Sequence, residues 1–292
     1  ELFGIAQPEL VDGVQQVSAS GEPLFGEARK VGLLTIVSTL SWGLGYFGMP
    51  HVLLKFMAIR DKNEVRFSRR IATIWCAISL AAAVCIGIIG RNLFPAEFLT
   101  NSDAENIFIL MSTRFFPPLL AGFVMAGILA ATISSSDSYL LISASAFSKN
   151  IYHGILKKDA DDRTVLRMTR ITLLVISAVA MVIALDEDSV IFKVVAFAWA
   201  GFGATFGPLM LFSLFWKRTT REGAIAGMLT GGSMVFIWKY LIAPMGGIFD
   251  IYELLPAFVF SCIAIFVVSL LTKQPSDEIM QEFEKAEAVA NE

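Results

Sequence analysis

The stretch "SWGLGYFGMP", residues 41–50, places three glycines and a proline inside an apolar segment. Gly43, Gly45 and Gly48 carry the G-x-G-x-x-G spacing of a dinucleotide-binding turn, in which glycine lets the backbone approach a pyrophosphate. Such a turn needs a short strand before it and a helix opening at its last glycine. Met49-Pro50 opposes that helix start, because the residue before proline is pushed out of the α region. The flanks "KVGLLTIVSTLS" (30–41) and "HVLLKFMAI" (51–59) together make a membrane-length span instead. Asp61 and Glu64 stand at the distance of a ribose-binding acid, but they lie in a cation-rich loop. The nucleotide reading fails.

Working outward, the chain is 55% apolar and 17% charged with a mean hydropathy of +0.67, beyond the range of an ordinary soluble domain. Its 26 acidic and 23 basic residues nearly cancel, so net charge points to no polyanionic partner. Apolar stretches at 31–57, 69–93, 116–147, 168–185, 190–216, 223–243 and 251–272 predict seven spans of a lipid bilayer, each to be measured against the ~20 helical residues that a hydrocarbon core requires. The segment 168–185 is short, and charge alternation decides it. Arg60, Lys62, Arg66, Arg69 and Arg70 crowd one connection, and Lys149, Lys157, Lys158, Arg163 and Arg167 another. Lys217, Arg218 and Arg221 crowd a third, whereas 91–115, 186–189 and 243–250 are poor in cations. By the positive-inside rule the first set is cytoplasmic, which puts residues 1–30 outside and the C-terminus in the cytoplasm.

Residues 1–30 read as a polar, loop-like extracellular segment, and 274–292 as an amphipathic or frayed tail. An outside N-terminus with neither Met nor an export signal implies a missing N-terminal half that carries earlier spans. Cys76, Cys85 and Cys262 fall inside spans, where thiols pack as small apolar groups.

Glycine and proline are frequent in membrane helices, where small residues permit close packing. That explains "GATFG" (203–207) and "GAIAGMLTG" (223–231), and it explains 41–50 less well. Irregular backbone at membrane depth survives only when buried in protein or lining a cavity, and discontinuous helices build the substrate sites of secondary transporters. Trp42, Tyr46 and Pro50 recur at i, i+4, i+8, so two aromatics with polar handles share one helical face at the break, next to Gly45.

A second stretch, "GILAATISSSDSYLLISASAF" (127–147), sets seven serine and threonine hydroxyls and one aspartate in the middle of a span. Ala131, Ser134, Ser135 and Ser138 fall at i, i+3, i+4, i+7 on one face. Hydroxyl and carbonyl oxygens suit a hard cation rather than a soft metal. Membrane serines also back-bond to their own helix. Asp137 adds weight to the ion reading, since a carboxylate at helix centre costs about 2.5–3.5 kcal/mol on insertion scales and marks ion or proton pathways.

With those residues on the page, the chain resembles the C-terminal part of a sodium:solute symporter, of the proline-carrying bacterial branch of that family. The run W-G-L-G-Y-F-G-x-P-H at 42–51 is similar to the branch's broken helix, and "ILAATISSSDSYLL" (128–141) to its I-L-A-A-x-M-S-T helix. "AWAGFGATFGPLMLFSLFWKRTTREGAIAGM" (198–228) resembles its late signature region. The resemblance covers 31–275 and implies an all-α integral membrane protein of the leucine-transporter inverted-repeat fold. Residues 31–216 would form the second five-helix repeat, 217–272 two additional helices, and 273–292 a cytoplasmic tail. The implied activity is inward sodium movement coupled to L-proline uptake across a bacterial plasma membrane. Ala131, Ser134 and Ser135 are then sodium ligands, with Asp137 and Ser138 as accessories. Trp42, Gly45, Tyr46 and Pro50 then contact substrate. One departure is a Ser-Ser pair at 134–135 where proline carriers often have Ser-Thr; both supply hydroxyls.

Nothing in the sequence suggests bond-breaking chemistry. There is no phosphate-cradling G-x-x-x-x-G-K-[ST] and no Cys/His metal spacing, and His51 and His153 sit at predicted cytoplasmic ends of spans. An ion gradient suffices as the drive. About 2.3 kcal/mol per charge per 100 mV, plus about 1.4 for a tenfold sodium gradient, gives ~3.7 kcal/mol, enough to concentrate solute several hundredfold. Rival readings are a channel, a membrane sensor module of the same fold, and a carrier for another small carboxylate such as pantothenate.

Overall fold

A computed structural model describes residues 4–11, 14–21, 23–30, 32–94, 97, 101–185 and 190–291. The connection 186–189, read above as cation-poor, lies outside the described residues. The stretch before residue 31 holds short strands rather than loop alone: β1 (Gly4–Pro8), β2 (Leu10–Val11), β3 (Val14–Gln15) and β4 (Phe25–Lys30). β1 lies beside β4, and β2 pairs antiparallel with β3, Leu10 opposite Gln15 and Val11 opposite Val14. Alternation over these few residues is too short to betray a strand.

Helices make up nearly all the rest. α1 (Leu33–Leu40) runs into a 3-10 segment (Ser41–Gly48), and α2 (Pro50–Met57) follows. α3 (Lys62–Leu93), α4 (Asn101–Ala104), α5 (Ile107–Phe115) and α6 (Pro118–Ser145) come next, α6 continuing as a π-helical turn (Ala146–Leu156). α7 (Asp162–Ile183), α8 (Ile191–Phe215) and α9 (Arg221–Ile237) precede a π turn (Trp238–Ile242) and two 3-10 turns (Ala243–Met245, Gly247–Phe249). α10 (Leu254–Leu271) and a tail helix α11 (Asp277–Asn291) close the chain.

Six helices among the described residues are long and apolar enough to cross a membrane. They correspond to all the expected spans but the first, which the structure divides: Leu33–Gly48 is one short apolar helix and α2 another. Met49 is the cause. Its φ of −80° and ψ of 117° are extended, as a residue before proline must be, and Pro50 opens α2 at the position where a missing N–H does no harm. The 91–115 connection, expected as a loop, contains α4 and α5. The span expected to end at 147 continues to Leu156, because the π turn carries it onward and shortens the basic connection behind it.

The chain divides into two compact units, Glu1–Gln7 with Gly26–Ala72 and Phe192–Glu292, and Pro8–Phe25 with Thr73–Ile191. In the first, α9 and α10 pack along a seam of small residues. A Cβ on Gly223 would meet the Ser269 hydroxyl and the Ile265 carbonyl, and one on Gly227 the Ile265 side chain. These glycines let two backbones approach, as expected of 223–231. Thr220 caps α9 by accepting from the Gly223 N–H at 3.1 Å. Around the seam Met49, Trp199, Ala200, Ala204, Val235, Leu254, Ala257 and Phe258 form the buried core. In the second unit α6 and its π turn pack on α7, where the buried Ser148 hydroxyl bonds the Thr169 hydroxyl at 2.7 Å and the Ala144 carbonyl at 2.8 Å.

Candidate functional site

The first group of candidate residues sits on the 3-10 segment of the first unit. A 3-10 helix has three residues per turn, so i and i+3 eclipse and every carbonyl bonds the amide three residues on. The segment therefore recovers the hydrogen bonds that so many glycines threatened to leave open. It also rearranges the faces. Trp42, Gly45 and Gly48 form one row, half-buried, buried and buried; Gly43 and Tyr46 form the next, both exposed. None of the three glycines has a positive φ, so close approach rather than turn geometry requires them.

Gly45 and Gly48 face α8. A Cβ on Gly45 would overlap the indole of Trp199, with Cε2 at 2.7 Å, and one on Gly48 would lie 2.5 Å from the Phe202 carbonyl oxygen and 2.8 Å from the Gly207 nitrogen. From the other side, a Cβ on Gly203 would come within 2.7 Å of the Gly45 Cα. The packing expected of 203–207 is present, and its partner is the broken helix itself. Trp199 Nε1 donates to the Trp42 carbonyl at 3.0 Å across this contact. Its ring stacks on Trp42 at 5.6 Å between centroids and meets Tyr46 edge-on at 4.7 Å. Trp42 and Tyr46 are thus joined through a shared aromatic partner rather than by α-helical alignment. Pro50, at the start of α2, is half-buried.

Nothing lies within 4 Å of where a Gly43 Cβ would be, and Tyr46 beside it is 49% exposed. The segment thus has a packed face and an open one. The open face presents a tyrosyl ring beside bare backbone.

The second group lies on α6 in the second unit. Ala131, Ser134, Ser135, Asp137 and Ser138 are all exposed along one helix. Ser138 donates to the Ser134 carbonyl at 3.0 Å, the back-bonding expected of a membrane serine. The Ser134 and Ser135 hydroxyls and the Asp137 carboxylate make no hydrogen bond or ion pair among the described residues. The described residues hold no cluster of three His, Cys, Asp or Glu that could bind a transition metal. His51 lies in α2, and His153 is exposed in the π turn.

Three residues beside the broken helix were not singled out from the sequence. Trp199 is a lone indole in the small-residue run "AWAGFG", which was the available signal. Ser38 and Tyr252 gave none, since the contact that joins them spans 214 positions.

The sodium:solute symporter family model matches residues 4–231. The chain is 42% identical to a sodium/proline symporter of Haemophilus influenzae over 92% of its length and 54% of the relative's. It is 37% identical to a high-affinity proline transporter of Bacillus subtilis, covering 93% of itself and 57% of that protein. It is 38% identical to a sodium/proline symporter of Staphylococcus aureus over 90% of itself and 53% of the relative. The chain spans about half the length of these relatives. Matched over most of its length, it belongs to the sodium:solute symporter family.

Proposed function

We propose that this chain supplies the ion-binding helix and the broken substrate helix of a carrier that couples inward sodium movement to L-proline uptake. The observation that carries the reading is the divided helix, Leu33–Gly48 and Pro50–Met57, in a chain 37–42% identical to proline carriers along some nine-tenths of its length. Residues 31–216 are assigned to the second repeat of a leucine-transporter-type inverted repeat, and 217–272 to two additional helices. The N-terminal segment is placed outside and the C-terminal tail in the cytoplasm of a bacterial plasma membrane. Missing partners for both sites come from an N-terminal half.

Sodium is bound by the Ser134 and Ser135 hydroxyls and backbone oxygen near Ala131, with Asp137 and Ser138 in support. Hard oxygen donors in a flexible arrangement suit a cation that is captured and released in each cycle. Proline lies against Trp42, Tyr46 and Pro50. The exposed backbone at Gly43 gives its polar groups carbonyl oxygens, each with a second lone pair beside its 3-10 bond, and close packing at Gly45 fixes where that backbone stands. Labelled proline uptake by the whole transporter, in cells lacking other proline carriers, tests the reading. Saturable accumulation that requires a sodium gradient is expected. Uptake indifferent to sodium, or to proline as competitor, overturns it.

A further inference from the structure

In the first unit a cavity of about 450 Å³ opens beside the broken helix, lined by Ser38, Thr39, Trp42, Phe192, Ala196 and Tyr252. Three rings stand nearly parallel in it. Trp42 stacks on Phe192 at 5.3 Å and 12°, and on Tyr252 at 5.7 Å and 16°. Tyr252, in the short connection before α10, is fastened at both ends: its N–H donates to Ser38 Oγ at 2.8 Å and its hydroxyl donates to the Ala196 carbonyl at 2.6 Å. Thr39 Oγ1 likewise donates to the Thr35 carbonyl at 2.8 Å.

These bonds set the cavity's chemistry. The Thr39 and Tyr252 protons are committed to backbone carbonyls, so both oxygens face a guest as acceptors. No lining residue carries a charge. The acceptor oxygens attract a cation and offer a carboxylate nothing, and the stacked rings wall in the apolar part of such a guest. The lining comes from the last turn of α1 and the 3-10 segment after it, the start of α8 and the residues before α10, the last two beside connections that carry few cations. By the positive-inside rule that is the outer side.

We propose that this cavity is an outer docking subsite for the ammonium end of a small amino acid, filled before the solute reaches the open face at Gly43 and Tyr46. The inference rests on the transport reading for its physiological guest, and the cavity's preference for a small organic cation stands apart from that reading. Phe192 is the ring to remove, because it belongs to the subsite and to neither group of residues assigned above.

The test uses the whole transporter, purified and reconstituted, with pyrrolidinium as the probe: the ring cation of proline without its carboxylate. Trp42 stacks on both flanking rings, so its emission reports the guest. Pyrrolidinium should quench tryptophan fluorescence saturably, and Phe192→Leu should raise the half-saturating concentration about three- to tenfold, the range for removing one ring from the wall of a small apolar site. Ala196→Phe, which fills the cavity, should abolish the quench, and the ring-matched carboxylate cyclopentanecarboxylate should not reproduce it. In proteoliposomes Phe192→Leu should raise the external proline needed for half-maximal uptake by a similar factor. Quenching by cyclopentanecarboxylate equal to that by pyrrolidinium, or a half-saturation that moves in neither variant, overturns the subsite. Pyrrolidinium binding as expected without sodium-driven proline uptake by the unaltered protein keeps the subsite and overturns the transport reading.

Discussion

Gly45→Ala adds one methyl group, and the structure says where it goes. The new Cβ overlaps the indole of Trp199, with Cε2 at 2.7 Å, and the indole is hemmed in by Trp42 at 5.6 Å and Tyr46 at 4.7 Å. Overpacking of this kind costs about 1–3 kcal/mol. Moving the indole also breaks the Nε1–H bond to the Trp42 carbonyl, and an orphaned buried donor costs about 1–3 kcal/mol more. Alanine's smaller backbone entropy returns only about 0.5–1 kcal/mol. The net expectation is a loss of about 1–5 kcal/mol. Gly43→Ala is the control. It lies two residues away in the same 3-10 segment with nothing within 4 Å of the new methyl, so only the small gain remains. Thermal unfolding of the purified transporter, followed by tryptophan emission, should put Gly45→Ala several degrees below the parent and Gly43→Ala at or above it. Trp199→Leu combined with Gly45→Ala should show coupling, the pair costing less than the sum, because the smaller side chain vacates the overlapped space. Equal melting of the two alanine variants, or strict additivity in the double variant, would refute the argument that close approach fixes these glycines.

Ser134→Ala and Ser135→Ala each remove one hard oxygen while keeping a good helix former, so the sodium needed for half-maximal proline uptake should rise several-fold at normal protein abundance. Unchanged sodium activation in both variants ends that assignment. Trp42→Ala should raise the half-saturating proline concentration more than the half-saturating sodium concentration, because it strips aromatic surface beside the break. Equal shifts in the two would make the ring a packing element only. Gly246, with φ 72° and ψ −170°, occupies a backbone region open essentially to glycine, so Gly246→Ala should destabilise the turn before α10 by about 1–3 kcal/mol. A melting temperature equal to the parent's would contradict that.

The long helices were legible because nothing competes with hydropathy over 20 residues, and the basic connections stood out for the same reason. What the sequence hid was short or distant. The strands before residue 31 are two to six residues long, too brief for a period to register. The π turn at 146–156 leaves no composition signal, since it changes the hydrogen-bond step and not the residue types. The break itself was legible from Met49-Pro50, but the form of the backbone before it was not. A reading at i, i+4, i+8 aligns Trp42 with Tyr46, whereas three residues per turn puts Trp42 over Gly45 and Tyr46 over Gly43. Partners across 157 positions, such as the Trp199 indole and the Trp42 carbonyl, are visible only in three dimensions.

That change of period dissolves the choice between packing and binding that the opening stretch posed. Under an α-helical step Gly48 would stand about 60° around the axis from Gly45, and Tyr46 would lie over Trp42 rather than over Gly43. Under a 3-10 step Gly45 and Gly48 stack on the side of α8, where Gly203 and Gly207 meet them, and Gly43 turns to the open side with Tyr46. One face is used for contact between backbones, so close that a single methyl would be felt. The other keeps its backbone uncovered. Bare backbone in a membrane survives only where protein or a water-filled cavity receives it, and a segment this irregular needs a rigid support to hold its shape. The glycine contact with α8 and the indole bond are that support. Packing on one side of the segment is therefore the physical condition for a site on the other.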